Sequence, residues 1–327
     1  MPLPLSILDL APLGDGQTSA EAIANSVDLA RHAERLGYAR VWYAEHHSLP
    51  GIATTAPDLM IAHVAAHTER IRLGAGGVML PNHAPLRIAE AYRLLEAMHP
   101  GRIDLGLGRA PGTDGRTALA LRGDPAKVMR NDFPEQLEEL VAWGQGRIPR
   151  VVAQPDDVEL PPIWLLGSSD FSARLAADRG YPYAYAAHFS PAPPAPAMRL
   201  YKDHFRPGAT SAPRSMLAVA AFVADTEEAA IDLARPALVA FSRLRTGRPI
   251  RPPTPEAARA YQLSPAEEAV AAQIRQTQIV GTPEQVVGRV AELAAATRAD
   301  EIMVASHVVD HPGRLRSFEL LMEAWRG

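Results

Sequence analysis

The feature that most limits what this chain can fold into is an alternation, repeated eight times, of short runs apolar on both faces with longer amphipathic stretches. The runs are SILDLAP from Ser6, RVWYAEHH from Arg40, IRLGAGGVMLP from Ile71 and RIDLGLGRA from Arg102. They continue with PIWLLGSS from Pro162, YAYAAHFS from Tyr183, MLAVAAFVA from Met216 and EIMVASH from Glu301. A strand with no polar face is one covered on both sides, as between a barrel lumen and a shell of helices. The stretches between carry helical spacing: Ser19–Leu36, with a serine cap candidate at its start and Gly37 as its stop, then 57–67, Pro85–Met98, 132–143, 171–179, Pro283–Thr297 and 312–325. Eight strand–helix units in 327 residues predict a parallel α/β fold, a closed (β/α)8 TIM barrel in one domain spanning 1–327. An open doubly wound sheet is the rival.

Two stretches break the rhythm. Residues 111–130 and 148–161, after the fourth run, read as loops rich in Gly, Pro, Arg and Asp. Residues 243–282, after the seventh, hold RTGRPIRPPTP and a helix expected over 264–278. Insertions after strands fall on the catalytic face of a barrel, so the second is a lid candidate as well as ordinary surface. PAPPAPA near Pro191 is the one low-complexity tract.

Composition removes several function classes. A net charge of -4 and a pI near 6.3 leave no basic excess to neutralise a nucleic acid. With zero cysteines, disulfides, thiolate catalysis and thiolate metal sites are excluded. No apolar run approaches the roughly 20 residues of a membrane span, and no leader pattern is visible, so a cytoplasmic protein is expected.

Four groups of residues at strand ends could carry chemistry. Glu45-His46-His47 closes the second run, where a histidine can move protons near neutral pH and a carboxylate can hold its tautomer. Paired histidines also make metal sites or structural hydrogen-bonded pairs. Gly74, Gly76 and Gly77 end the third run, marking either a bend or a close backbone approach to a ligand. Arg109 follows the fourth, placed to hold an anion or simply exposed. Ser168, Ser169 and Ser172 in GSSDFS open a helix, either as caps or as a phosphate cradle with its first N–H groups. All four would converge on one face of a barrel. Too few carboxylates and histidines share that face for a metal hydrolase, and His188 and His307 lack obvious partners.

The run IRLGAGGVMLPNHAPLRIAEAYRLLEAMHPGRIDLGLGRAPG resembles the matching region of bacterial luciferase-like flavin monooxygenases. The likeness extends to YARVWYAEHH, PIWLLGSSDFSARLAADRGYP and IVGTPEQVVGRVAEL in the same order. It implies a (β/α)8 barrel binding FMN, or in some branches a deazaflavin, at the strand ends. His46 then matches the catalytic histidine, with Glu45 beside it. Gly76-Gly77 matches a non-proline cis peptide beneath the isoalloxazine, Arg109 the phosphate-side arginine, and Ser168, Ser169 and Ser172 the phosphate loop. Gly108 stands where luciferases carry a reactive cysteine, and Arg130 is an insecure match for a second phosphate arginine. Met79 and Leu107 are shielding candidates or ordinary core. The implied activity is oxygenation of a small-molecule substrate by a homodimer that receives reduced FMN from a separate NAD(P)H:flavin reductase. A deazaflavin dehydrogenase and a noncatalytic flavin carrier are the alternatives.

Overall fold

Seven of the eight predicted apolar runs each hold one parallel strand, and the third holds two, in the computed structural model, which describes residues 2–130 and 132–327. In chain order the strands are β1 (Leu5–Asp9), β2 (Arg40–Tyr43), β3 (Arg72–Ala75), β4 (Val78–Met79), β5 (Ile103–Gly108), β6 (Ile163–Gly167), β7 (Tyr183–Ala186), β8 (Ser215–Val223), β9 (Gln278–Gly281) and β10 (Glu301–Ala305). Strands β1, β2, β3, β5, β6, β7, β8 and β10 pair in that order, and β10 returns to β1 with Leu5 opposite Ile302. The result is a closed eight-stranded barrel wrapped by helices.

Alternation along each strand explains the closure. Ile7, Val41, Leu73, Leu105 and Leu217 point outward onto the helices, while Leu8, Trp42, Trp164, Met216 and Met303 fill the lumen. Each fully buried side chain of this size contributes about 1.5–3 kcal/mol relative to exposure. The first helix is held by a capping box in which Thr18, one residue before the expected Ser19, accepts from the Glu21 amide; Gly37 ends it at φ 77°.

The lower, N-terminal end of the lumen is closed by charge. Arg40 donates to Asp104 at 2.6 Å and to both oxygens of Glu301 at 2.7 and 3.0 Å. Trp42 Nε1 also reaches Asp104, and Ser6 reaches Glu301. Burial alone would weaken the charge on Arg40, but the two carboxylates outweigh it and push its pKa up.

Several expectations need correction. The third run is not one strand: it breaks at Gly76-Gly77 into β3 and β4 and then makes a single 3-10 turn, Leu80–Asn82. Residues 111–130 contain two short helices, Gly115–Arg122 and Pro125–Met129, capped by Asp114 and Asp124. PAPPAPA opens the helix Pro194–Asp203, because a first turn tolerates proline where its N–H has no helical partner. The helix after β8 runs on to Arg245, three residues into the expected insertion. That insertion ends in β9, which pairs with Ala220–Val223 of β8.

Candidate active site

The C-terminal ends of the strands open onto a cavity of about 310 Å³. His46, Gly76, Gly77, Arg109, Ser168, Ser169 and Ser172 all line it, with Met79 beside them. Glu45 does not, and Leu107 is ordinary core.

The floor is bare backbone. The Gly76-Gly77 peptide bond is cis. A Cβ on Gly76 would lie 2.6 Å from Leu8 Cδ1, and one on Gly77 would lie 2.8 Å from the Gly106 carbonyl oxygen. The third-strand glycines are therefore demanded by close approach as well as by the bend. Gly77 O accepts from the Glu45 amide at 3.3 Å, tying this floor to the end of β2.

Glu45 acts on that floor and on its own neighbours rather than on His46. Its buried carboxylate accepts from His47 Nε2 at 2.9 Å, His83 Nε2 at 2.9 Å, the Met79 amide at 2.9 Å and Asn82 Nδ2 at 3.2 Å. Burial opposes its ionisation, yet the bonds from His83, His47 and Met79 prevail and hold its pKa below the ordinary value. Strand alternation puts Glu45 and His47 on one side and His46 on the other, so the histidine whose ring Glu45 holds is His47. His46 leans on Gly112 instead, with Nδ1 3.4 Å from the Gly112 carbonyl. A carbonyl only accepts, so Nδ1 carries the hydrogen and Nε2 is left as the acceptor. Burial lowers the His46 pKa, partly offset by the Gly112 bond and the Glu45 charge, so the ring is neutral at physiological pH.

The opposite wall suits an anion. Ser169 is the N-cap of the helix Asp170–Arg179, but its side chain makes no capping bond, leaving hydroxyl and first-turn amides available. Ser172 donates to the Ser169 carbonyl at 2.9 Å and meets the Tyr183 hydroxyl at 3.3 Å, so it shapes the turn as well. The Arg109 guanidinium sits 4.3 Å above the Phe171 ring. Arg130 is the C-cap residue of the helix Pro125–Met129 and does not line this cavity.

Sequence reading missed a second chamber. A space of about 170 Å³ beside the main cavity shares His46, His188 and Phe189 with it, and is closed by His307, Phe241 and the segment around β9. Burial is the main cause that drives the pKa of His188 down to about 3 and of His307 to about 4. A signal was present: His46, His188 and His307 each stand two or three residues beyond a barrel strand. Among the described residues, no three His, Cys, Asp or Glu side chains are grouped to hold a metal ion. No helix there is long and apolar enough to cross a membrane.

The family model described as luciferase-like monooxygenase matches residues 3–301. The chain belongs to this family. A luciferase-like monooxygenase of Escherichia coli K12 is 44% identical over 97% of this chain and 96% of its own length. The N-acetyl-S-alkylcysteine monooxygenase of Bacillus subtilis is 35% identical over 98% and 97%. Among solved structures, apo-MsnO8 superposes with a TM-score of 0.91 at 36% identity, covering 99% of this chain and 98% of that one. More distant structures share the fold only: the oxygenating constituent of 3,6-diketocamphane monooxygenase from Pseudomonas putida in complex with FMN, at TM-score 0.71 and 18% identity, and an F420-dependent secondary alcohol dehydrogenase, at 0.74 and 13%. The first covers 99% of this chain and 98% of that one, and the second 100% of both. An FMN complex and an F420-dependent enzyme are thus both built on this barrel.

Proposed function

We propose that this protein is a two-component monooxygenase that takes reduced FMN from a separate reductase and oxygenates a small organic substrate. The observation that carries the reading is the convergence, in one cavity, of an anion-binding wall, a side-chain-free floor and a neutral histidine. Ser168, Ser169, the first amides of Asp170–Arg179 and Arg109 fit a phosphate. Gly76 and Gly77 fit a flat ring system, because any Cβ there is already forbidden by Leu8 and the Gly106 carbonyl. When bound, reduced FMN supplies the two electrons by which one atom of O2 enters the substrate and the other leaves as water. His46 takes or returns a proton at Nε2, and its pKa, lowered by burial, keeps it able to accept. Met79, Leu8, Leu10 and Trp42 line the same space and exclude water. We place the enzyme in the cytoplasm, where reduced flavin is supplied. We assign the apolar patch of Leu59, Leu94 and Met98, on two neighbouring helices, to a second copy in a homodimer.

The test is to load the protein anaerobically with reduced FMN, mix it with oxygen, and follow the return of oxidised-flavin absorbance in wild type and His46→Ala. Slow reoxidation whose time course the substitution changes supports the reading. Immediate reoxidation in both argues for a flavin carrier. A protein that ignores FMN but binds a deazaflavin belongs instead with the hydride-transfer branch.

A further inference from the structure

The second chamber has one-sided chemistry. Its apolar surface comes from Leu10, Ile52, Phe241 and Ile274, and no Asp or Glu side chain lines it. The groups that can bear positive charge are Arg245 and the three histidines. Arg245 ends the helix that follows β8, and among the described residues it has no hydrogen-bond or ion-pair partner. Its neighbour Arg243 is by contrast engaged, lying 3.3 Å from the Tyr261 hydroxyl and 4.0 Å from Glu267. Thr277, the hydroxyl of the chamber, already donates to the Ile274 carbonyl at 2.9 Å. A phosphate would want the hydroxyls and helix amides found on the other wall. A lone guanidinium above an apolar pocket instead matches the planar fork of a carboxylate.

A second observation points into the same space. His188 Nδ1 is buried with no partner in the protein, at the boundary between the two cavities. Such a group is expensive to leave unmade unless a ligand or solvent completes it.

We propose that this chamber is the substrate site and that it takes a small organic carboxylate, its apolar body against Leu10, Ile52, Phe241 and Ile274 and its carboxylate on Arg245. A volume of about 170 Å³ falls below the roughly 300–1,000 Å³ of pockets for drug-sized ligands, which restricts the body to a short or branched chain. His188 lies where the body meets the main cavity and accepts a hydrogen bond from the substrate or its solvating water. The inference rests on the monooxygenase reading for the word substrate, but its binding chemistry stands apart from the flavin.

Two near-isosteric probes separate charge from shape: 4-methylpentanoate and 4-methylpentanamide, titrated calorimetrically into the flavin-free protein at constant ionic strength. The carboxylate should bind more tightly, and Arg245→Gln should erase the preference by weakening it about fivefold to tenfold. Arg245→Lys should keep part of it, and Arg245→Glu should turn the preference toward 4-methylpentylamine. Arg248→Gln, an exposed arginine outside the chamber, controls for bulk charge, and Arg109→Ala controls for capture at the phosphate wall. Equal binding of acid and amide, no binding of either, or loss of preference in Arg109→Ala rather than Arg245→Gln would overturn the proposal. FMN titrations of the same proteins keep the two readings apart. An Arg245-dependent preference in a protein that ignores FMN leaves this site standing and removes the flavin reading. FMN binding without the preference does the reverse.

Discussion

At the lower mouth of the barrel, Arg40, Asp104 and Glu301 satisfy one another within 3.0 Å, and Ser6 and Trp42 take up further oxygen valences. At the upper mouth His188 Nδ1 is equally out of water but meets no partner in the protein, at the boundary of the two cavities. Both ends bury polar groups, so burial alone does not mark a working site. What separates them is whether the hydrogen-bonding capacity is spent. The lower network fixes strand starts against one another, while at the upper end the His188 ring keeps one nitrogen open toward the cavities.

The comparison can be broken most severely from below. Arg40→Ala removes the buried cation between Asp104 and Glu301, leaving Arg72 on the first and the more exposed Arg214 on the second as partial compensation, and should cost about 3 kcal/mol in urea denaturation. Arg40→Met paired with neutral partners at 104 and 301 should recover most of that. At the upper end, His46→Ala should leave the denaturation midpoint nearly unchanged and slow oxygen transfer about a hundredfold, read in single-turnover reoxidation. Should it unfold the protein instead, the contrast between a structural and a chemical end fails.

Glu45→Gln probes the border between the two kinds of site. It weakens a four-donor clamp and should cost about 1–3 kcal/mol. The Glu45 pKa is below its ordinary 4.5 in the folded protein, so its contribution is complete above pH 4.5 and fades as pH falls through the folded value. The gap between wild type and variant should accordingly narrow in acid. Arg109→Ala should weaken FMN binding about tenfold by fluorescence titration, with little change in stability. A further effect, confined to acid pH, concerns His188 and His307. An unfolded chain protonates them from about pH 6.5 downward, whereas the folded values are about 3 and about 4. Their stabilisation is whole above pH 6.5 and drains away below it, so His188→Asn should flatten the fall in stability between pH 6.5 and 4.

Much of this contrast was readable before any coordinates. Strands apolar on both faces can only be sandwiched, and the order of runs then fixed which ends face the same way. The site glycines, Arg109 and the serines followed from position at strand ends. Three things were hidden. The strand QIVG is four residues long and only partly buried, and the helix pattern of AEEAVAAQIRQT runs straight into it. Asn82 and His83, two of the four partners of Glu45, come from a turn that the expected straight third strand did not contain. The shared chamber of His46, His188 and His307 depends on barrel closure bringing β2, β7 and β10 to one rim, a contact that no local pattern encodes.

The stacking of Arg109 on Phe171 has a thermodynamic consequence. An arginine waving in solvent must surrender rotamer freedom when it closes on a phosphate, at about 0.5–1.5 kcal/mol per side chain. Here the ring 4.3 Å below the guanidinium has collected much of that loss in advance. Phe171→Leu would keep every charge in place and still weaken FMN, and calorimetry should record the deficit as a less favourable entropy with the enthalpy little changed.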